Sequence, residues 1–72
     1  MYSLVGFKKI VSKKTGEEFY EIYVNFVEKN VTGFCCDKFF VHSSGISGDL
    51  LVNSDCEIIF NRYGRIDSIE IL

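Results

Sequence analysis

Asp55-Cys56-Glu57-Ile58-Ile59-Phe60-Asn61-Arg62-Tyr63-Gly64-Arg65-Ile66-Asp67-Ser68-Ile69-Glu70-Ile71-Leu72 is the stretch that decides the fold. Two β-rich runs flank Asn61-Arg62-Tyr63-Gly64, which reads as a hairpin turn opened by Asn and closed by a glycine at positive φ. On the first arm Cys56, Ile58 and Phe60 share one face, and Glu57, Ile59 and Asn61 share the other. On the second arm Ile66 and Ile69 differ in parity, so a uniform strand cannot turn both inward. Either a bulge near Asp67-Ser68 or partial cover on both faces resolves this, and both occur where a sheet curls into a small barrel. The turn gathers two arginines and a tyrosine around one glycine.

Outward from the hairpin, composition sets the limits. A chain of 72 residues is expected to form one domain spanning 1–72, near the size at which roughly 60% of the unfolded surface becomes buried. Ordering it costs on the order of 100 kcal/mol, so the core must be dense. The material is present: 47% hydrophobic residues with seven Phe and four Tyr. The absence of proline and the wealth of Val, Ile, Phe and Tyr favour sheet over helix. A formal charge of −2 argues against coating nucleic acid by bulk attraction. No run approaches the length of a membrane span. Lys8 and Lys9 follow the first apolar residues rather than preceding a long apolar run, so no secretory signal is read. The expectation is a soluble cytoplasmic protein.

From the N-terminus, Leu4 to Ser12 reads as a strand with Val5, Phe7 and Val11 on one face and Leu4, Lys8 and Ile10 on the other; Gly6 marks a bend. Lys13-Lys14-Thr15-Gly16-Glu17 is a polar turn. Phe19 to Val27 alternates cleanly, with Tyr20, Ile22, Val24 and Phe26 on an apolar face and Phe19, Glu21, Tyr23 and Asn25 on a mixed one. Glu28-Lys29-Asn30 is a turn, and a third strand runs from about Thr32 to Val41. The segment from His42 to Asp49, small and glycine-rich, reads as a flexible loop. At most one short helical turn is expected, near residues 47–52. Asn53-Ser54-Asp55 leads into the final hairpin.

Five strands in this order suit an all-β protein, a small five-stranded OB-like barrel. An SH3-like barrel is the alternative. Val5-Gly6-Phe7-Lys8-Lys9, Lys14-Thr15-Gly16-Glu17-Glu18, Cys36-Asp37-Lys38-Phe39-Phe40-Val41 and Phe60-Asn61-Arg62-Tyr63-Gly64-Arg65-Ile66-Asp67 together touch most of the chain. In these segments it resembles small proteins of Gram-positive phages and mobile elements that look like the helix-destabilising, single-stranded-DNA-binding proteins of filamentous phage. It departs from them in its acidic balance and its Gly/Ser-rich centre. The resemblance implies an OB-like barrel, single-strand binding and a possible homodimer.

Single-strand binders combine a basic track for phosphates with exposed aromatics for base stacking. Lys8, Lys9, Lys13 and Lys14 surround the first hairpin, and Arg62 and Arg65 flank the last. Phe19, Tyr23 and Tyr63 are the candidate stackers. Each residue also has a plainer reading. Lysines at a hairpin tip are commonly only solvated. Phe19 and Tyr23 suit a second core face or a dimer contact equally well, and Tyr63 can pack over its own hairpin.

Other chemistry is disfavoured. Cys35 and Cys36 are adjacent and point to opposite faces of a strand, no C-x-x-C occurs, and His42 is the single histidine, so no metal site is expected. A Cys–His nucleophile lacks an orienting third group. The carboxylates converge on no pocket, and Gly45-Ile46-Ser47-Gly48 lacks the Lys-Ser/Thr of a phosphate loop. The expectation is therefore no enzyme, no cofactor and no small-molecule substrate. Two function classes remain: single-stranded nucleic-acid binding, and a protein-interaction module or homodimeric accessory protein that uses the mixed face or a free sheet edge.

Overall fold

The computed structural model describes all 72 residues. Six strands form one sheet: β1 (Tyr2–Val11), β2 (Glu18–Phe26), β3 (Cys35–His42), β4 (Ile46–Ser47), β5 (Asp55–Phe60) and β6 (Ile66–Ile71). Their order across the sheet is β3-β2-β1-β5-β6-β4. All pairs are antiparallel except β4 with β6. The final hairpin forms as its sequence dictates. Ile59 pairs with Ser68 and Phe60 with Ile66, leaving Asp67 as the extra residue of a bulge. That bulge restores Ile66 to the side of Ile69, which is fully buried.

The buried side chains are Leu4, Ile22, Val24, Val41, Cys56 and Ile69, so each of the five longer strands contributes to one cluster. Tyr2, Phe26, Phe39 and Phe60 extend it, with Tyr2–Phe26 ring centroids at 5.3 Å and Phe39–Phe60 at 5.8 Å. A flat sheet cannot bring Val41 of β3 and Ile69 of β6 into one core, so this sheet curls. It is not closed into a barrel.

Four expectations are corrected. The sheet has six strands, not five, because the chain turns at a 3-10 turn (Ser43–Gly45) and then lays the short β4 beside β6. That turn also falls earlier than residues 47–52, capped by His42, whose Nδ1 accepts the Ser44 amide at 3.1 Å. The glycines of this segment serve close packing rather than flexibility. A Cβ on Gly45 would lie 3.0 Å from the Asp67 carbonyl oxygen, and one on Gly48 would lie 3.0 Å from Ile71 Cβ. In β1, Val5 drops out of the register between Leu4 and Gly6. The bulge reverses parity, so Phe7 shares a face with Leu4, opposite Ile22, and not with Val5. No helix is long and apolar enough to cross a membrane.

Candidate nucleic-acid interface

In a ladder, directly opposed residues project to the same side, so the register defines the outer face of β1, β2 and β3 row by row. Ile10, Phe19 and His42 form one row; Lys8, Glu21 and Phe40 the next; Gly6, Tyr23 and Lys38 the third; Ser3, Asn25 and Cys36 the last. Three aromatics and two lysines thus share one solvent-facing surface. Phe40 is 55% exposed and Tyr23 37% exposed. Phe19 packs edge-on against His42, with centroids 5.1 Å apart, and is half-buried as a result.

Glu21 sits at the centre of this face and organises it. The Tyr23 hydroxyl donates to its carboxylate, which holds the phenol pKa above its ordinary value, with desolvation adding to the effect. Lys38 Nζ lies 3.9 Å from the same carboxylate. The Tyr23 ring is therefore tethered at its hydroxyl and lies beside Gly6 of β1, partly exposed.

The nine candidate residues are distributed as follows. Lys8, Phe19 and Tyr23 lie on the outer face. Lys9 projects to the opposite side, beside Tyr20, and its ammonium pairs with Glu18 at 2.9 Å. The Glu18 hydrogen bond and charge raise the Lys9 pKa. Lys13 and Lys14 occupy the β1–β2 turn, closed by the Gly16 amide donating to the Ser12 carbonyl at 2.9 Å. Arg62, Tyr63 and Arg65 occupy the β5–β6 turn. There Asn61 Oδ1 accepts the Tyr63 and Arg65 amides, and Gly64 takes φ +77°. The Arg62 guanidinium lies 5.0 Å from the Tyr63 ring centroid and donates to its hydroxyl at 2.8 Å.

The structure does not gather these cations in one place. β1 meets β5 only at Tyr2–Cys56 and Ser3–Asp55. From that contact the antiparallel strands run in opposite directions, carrying the two basic turns apart. The β1–β2 turn extends past the Ile10–Phe19–His42 end of the aromatic face, whereas the β5–β6 turn follows Phe60, whose ring packs against Phe39 on the core side of β3 at 5.8 Å. Sequence reasoning overlooked Lys38 and Phe40. Their signal was present, because Cys36, Lys38, Phe40 and His42 alternate with Cys35, Asp37, Phe39 and Val41, but the apolar density of the run hid the period of two.

The cysteines are free. Cys35 and Cys36 lie on opposite faces of β3. Burial raises the Cys56 thiol pKa, and desolvation followed by the Glu28 charge raises that of Cys35. No family model, no curated protein and no solved structure matches this chain.

Proposed function

We propose that this chain is a non-enzymatic single-stranded nucleic-acid-binding protein, with DNA the expected strand, which runs across the outer face of β1, β2 and β3. The observation that carries the reading is the register that sets Phe19, Tyr23 and Phe40 beside Lys8 and Lys38. Exposed rings next to cations are what a sequence-tolerant single-strand binder needs, each stacked base contributing about 1–3 kcal/mol. Of the carboxylates, Glu57 and Glu70 oppose each other on the outer side of β5 and β6, while Glu21, on the binding face itself, is met by the Tyr23 hydroxyl and by Lys38.

The chain path supports an OB-like architecture. Taking β3, the 3-10 turn and β4 as one bent strand, the circuit runs β1-β2-β3/β4-β6-β5 and returns to β1, with β4 and β6 parallel. In that fold the face of strands two and three, with the loops after strands one and four, carries oligonucleotides. These are the Tyr23–Phe40 face and the two basic turns. A cytoplasmic protein of a phage or mobile element, acting alone or as a homodimer, completes the proposal.

The protein-interaction reading draws support from the exposure of Phe34, Leu51 and Val52. Against strand addition at the free edge of β3 stands Asp37, whose carboxylate accepts the Lys38 amide at 2.8 Å. That contact occupies a donor that an added strand would need. Fluorescence anisotropy with a labelled single-stranded oligonucleotide at low salt discriminates the readings. Tyr23→Ala and Phe40→Ala should each weaken binding by about 1–3 kcal/mol, while Ile59→Ala, on the outer side of β5, should not. Full affinity in both aromatic variants would move the site elsewhere. Absence of binding by the folded wild type would leave the interaction reading standing.

A further inference from the structure

Of the paired residues on the outer face of β1, β2 and β3, Glu21 alone is acidic, and it stands between Lys8 of β1 and Phe40 of β3. Its side chain is only 13% exposed, against 59% for that of Lys38. The Tyr23 hydroxyl donates to Oε1, and Lys38 Nζ stands 3.9 Å from that same oxygen, while Oε2 has no hydrogen-bond or ion-pair partner. The carboxylate is therefore the fixed charge of the face. Lys38, more than half exposed, is held loosely, since an exposed ion pair contributes little. Lys8, directly across the ladder, has no carboxylate partner. Both lysines can swing toward a phosphate at the margin of the face, but the carboxylate cannot withdraw from its centre.

We propose that Glu21 is a specificity-determining residue that admits single strands to this face and rejects duplex. The inference rests on the single-strand-binding reading and adds a selectivity to it. A single strand turns its bases to the aromatics and keeps its phosphates at the margins, where Lys8 and Lys38 meet them. A duplex stacks its bases inside and presents phosphates to whatever face it meets, with one negative charge per roughly 1.7 Å of axis. On this face a duplex phosphate must then lie close to Glu21, beside the Tyr23 ring. Repulsion between unit charges about 6 Å apart, at an effective dielectric constant of about 40–80, converts to a loss of about three- to tenfold in affinity. Specificity of this kind comes from a repulsive element rather than from an added contact.

The test measures the affinities of labelled oligo-dT and of a blunt GC-rich duplex of equal length by fluorescence anisotropy at neutral pH and low salt. Glu21→Gln removes the charge and keeps an oxygen for the Tyr23 hydroxyl. It should raise duplex affinity about three- to tenfold more than single-strand affinity. Any gain from releasing Lys38 is common to both ligands and cancels in the ratio. Glu21→Asp keeps the charge and should keep the wild-type ratio. Glu57→Gln removes a charge from the outer side of β5 and should leave the ratio unchanged. The effect of Glu21→Gln should shrink as salt rises, because the screening length falls from about 30 Å at 0.01 M to about 10 Å at 0.1 M. An unchanged ratio in Glu21→Gln, an equal change in Glu21→Asp, or a wild type that binds duplex as tightly as oligo-dT would overturn the role of Glu21 while sparing single-strand binding. No binding of oligo-dT by the folded wild type would overturn the single-strand reading and this inference with it.

Discussion

Gly48→Ala tests whether the segment after β3 is packed structure or a flexible loop. Gly48 has φ +96°, and an added Cβ would meet Ile71 Cβ at 3.0 Å and the Ile71 carbonyl oxygen at 3.1 Å. Holding a non-glycine residue in such a sparsely populated conformation costs about 1–3 kcal/mol. Forcing a methyl group against a filled site adds about 1–3 kcal/mol. The sum of about 2–6 kcal/mol is a large fraction of the total stability, which at about 0.05–0.15 kcal/mol per residue is about 4–11 kcal/mol for this length. Gly16→Ala is the control, since Gly16 has φ +75° with nothing within 4 Å of the added Cβ. It should incur the backbone cost alone. In urea titrations read by circular dichroism, with a slope near 1 kcal/mol/M for so small a chain, Gly48→Ala should lower the midpoint by about 2 M or more. Gly16→Ala should lower it by about 1–3 M, and by less than Gly48→Ala does. Equal midpoints for the two variants would refute the argument and return the segment to a loop.

Core truncation at Ile69→Ala, which empties a fully buried site shared with Leu4 and Ile22, should cost about 2–5 kcal/mol in the same urea assay. Cys56 is the pH-sensitive element of the core. Burial raises its folded-state thiol pKa above the ordinary 9.0, so the folded state holds the proton more tightly than the unfolded one. The stability it contributes is complete below the unfolded thiol pKa and is lost as pH rises through the thiol range. Urea midpoints should therefore fall as pH rises past the ordinary thiol pKa of 9.0, and less so in Cys56→Ala; identical pH dependence in both proteins would contradict this. Native thiol labelling should modify the exposed Cys36 first and Cys56 only on unfolding. Glu21→Gln should move the Tyr23 phenol back toward its ordinary pKa of 10.0, read as the ultraviolet titration difference against Tyr23→Phe.

The parts of the fold that were legible in the sequence are those governed by local rules. The Asn61–Gly64 turn and the two faces of β2 follow from turn chemistry and a period of two; the parity of Ile66 and Ile69 left a bulge and two-sided cover both open, and the pairing of Phe60 with Ile66 decides for the bulge. The reading of β1 failed because a bulge at Val5 leaves no signature in a run of mixed apolar and basic residues. The Gly/Ser-rich segment misled for a different reason. Composition cannot separate a glycine that confers freedom from one that makes room, and Gly45 and Gly48 make room for β6. At the candidate site, Phe19 and Tyr23 were legible together because β2 alternates cleanly, whereas Lys8 was read from its charge and only the pairing with Glu21 sets it on their face. Where the two basic turns lie relative to one another depends on pairing between distant chain segments. Register, which the sequence does not display, sends those turns in opposite directions.

A salt series tests the central claim most directly. Binding of the wild type to a labelled single-stranded oligonucleotide is followed by anisotropy as salt is raised. Of the eight Lys and Arg side chains, Lys9 pairs with Glu18 and Lys38 with Glu21, while Lys8, Lys13, Lys14, Lys29, Arg62 and Arg65 have no carboxylate partner. If three or four cations meet phosphates at once, affinity should fall with a log–log slope of about −2 to −3, since each neutralised phosphate contributes about −0.7. Substituting Arg62 and Arg65 together should flatten the slope by about one unit, while Tyr23→Ala should weaken binding and leave the slope nearly unchanged, because stacking releases no counterions. A folded protein that binds no single strand at low salt, or binds it with a slope near zero, would contradict the account.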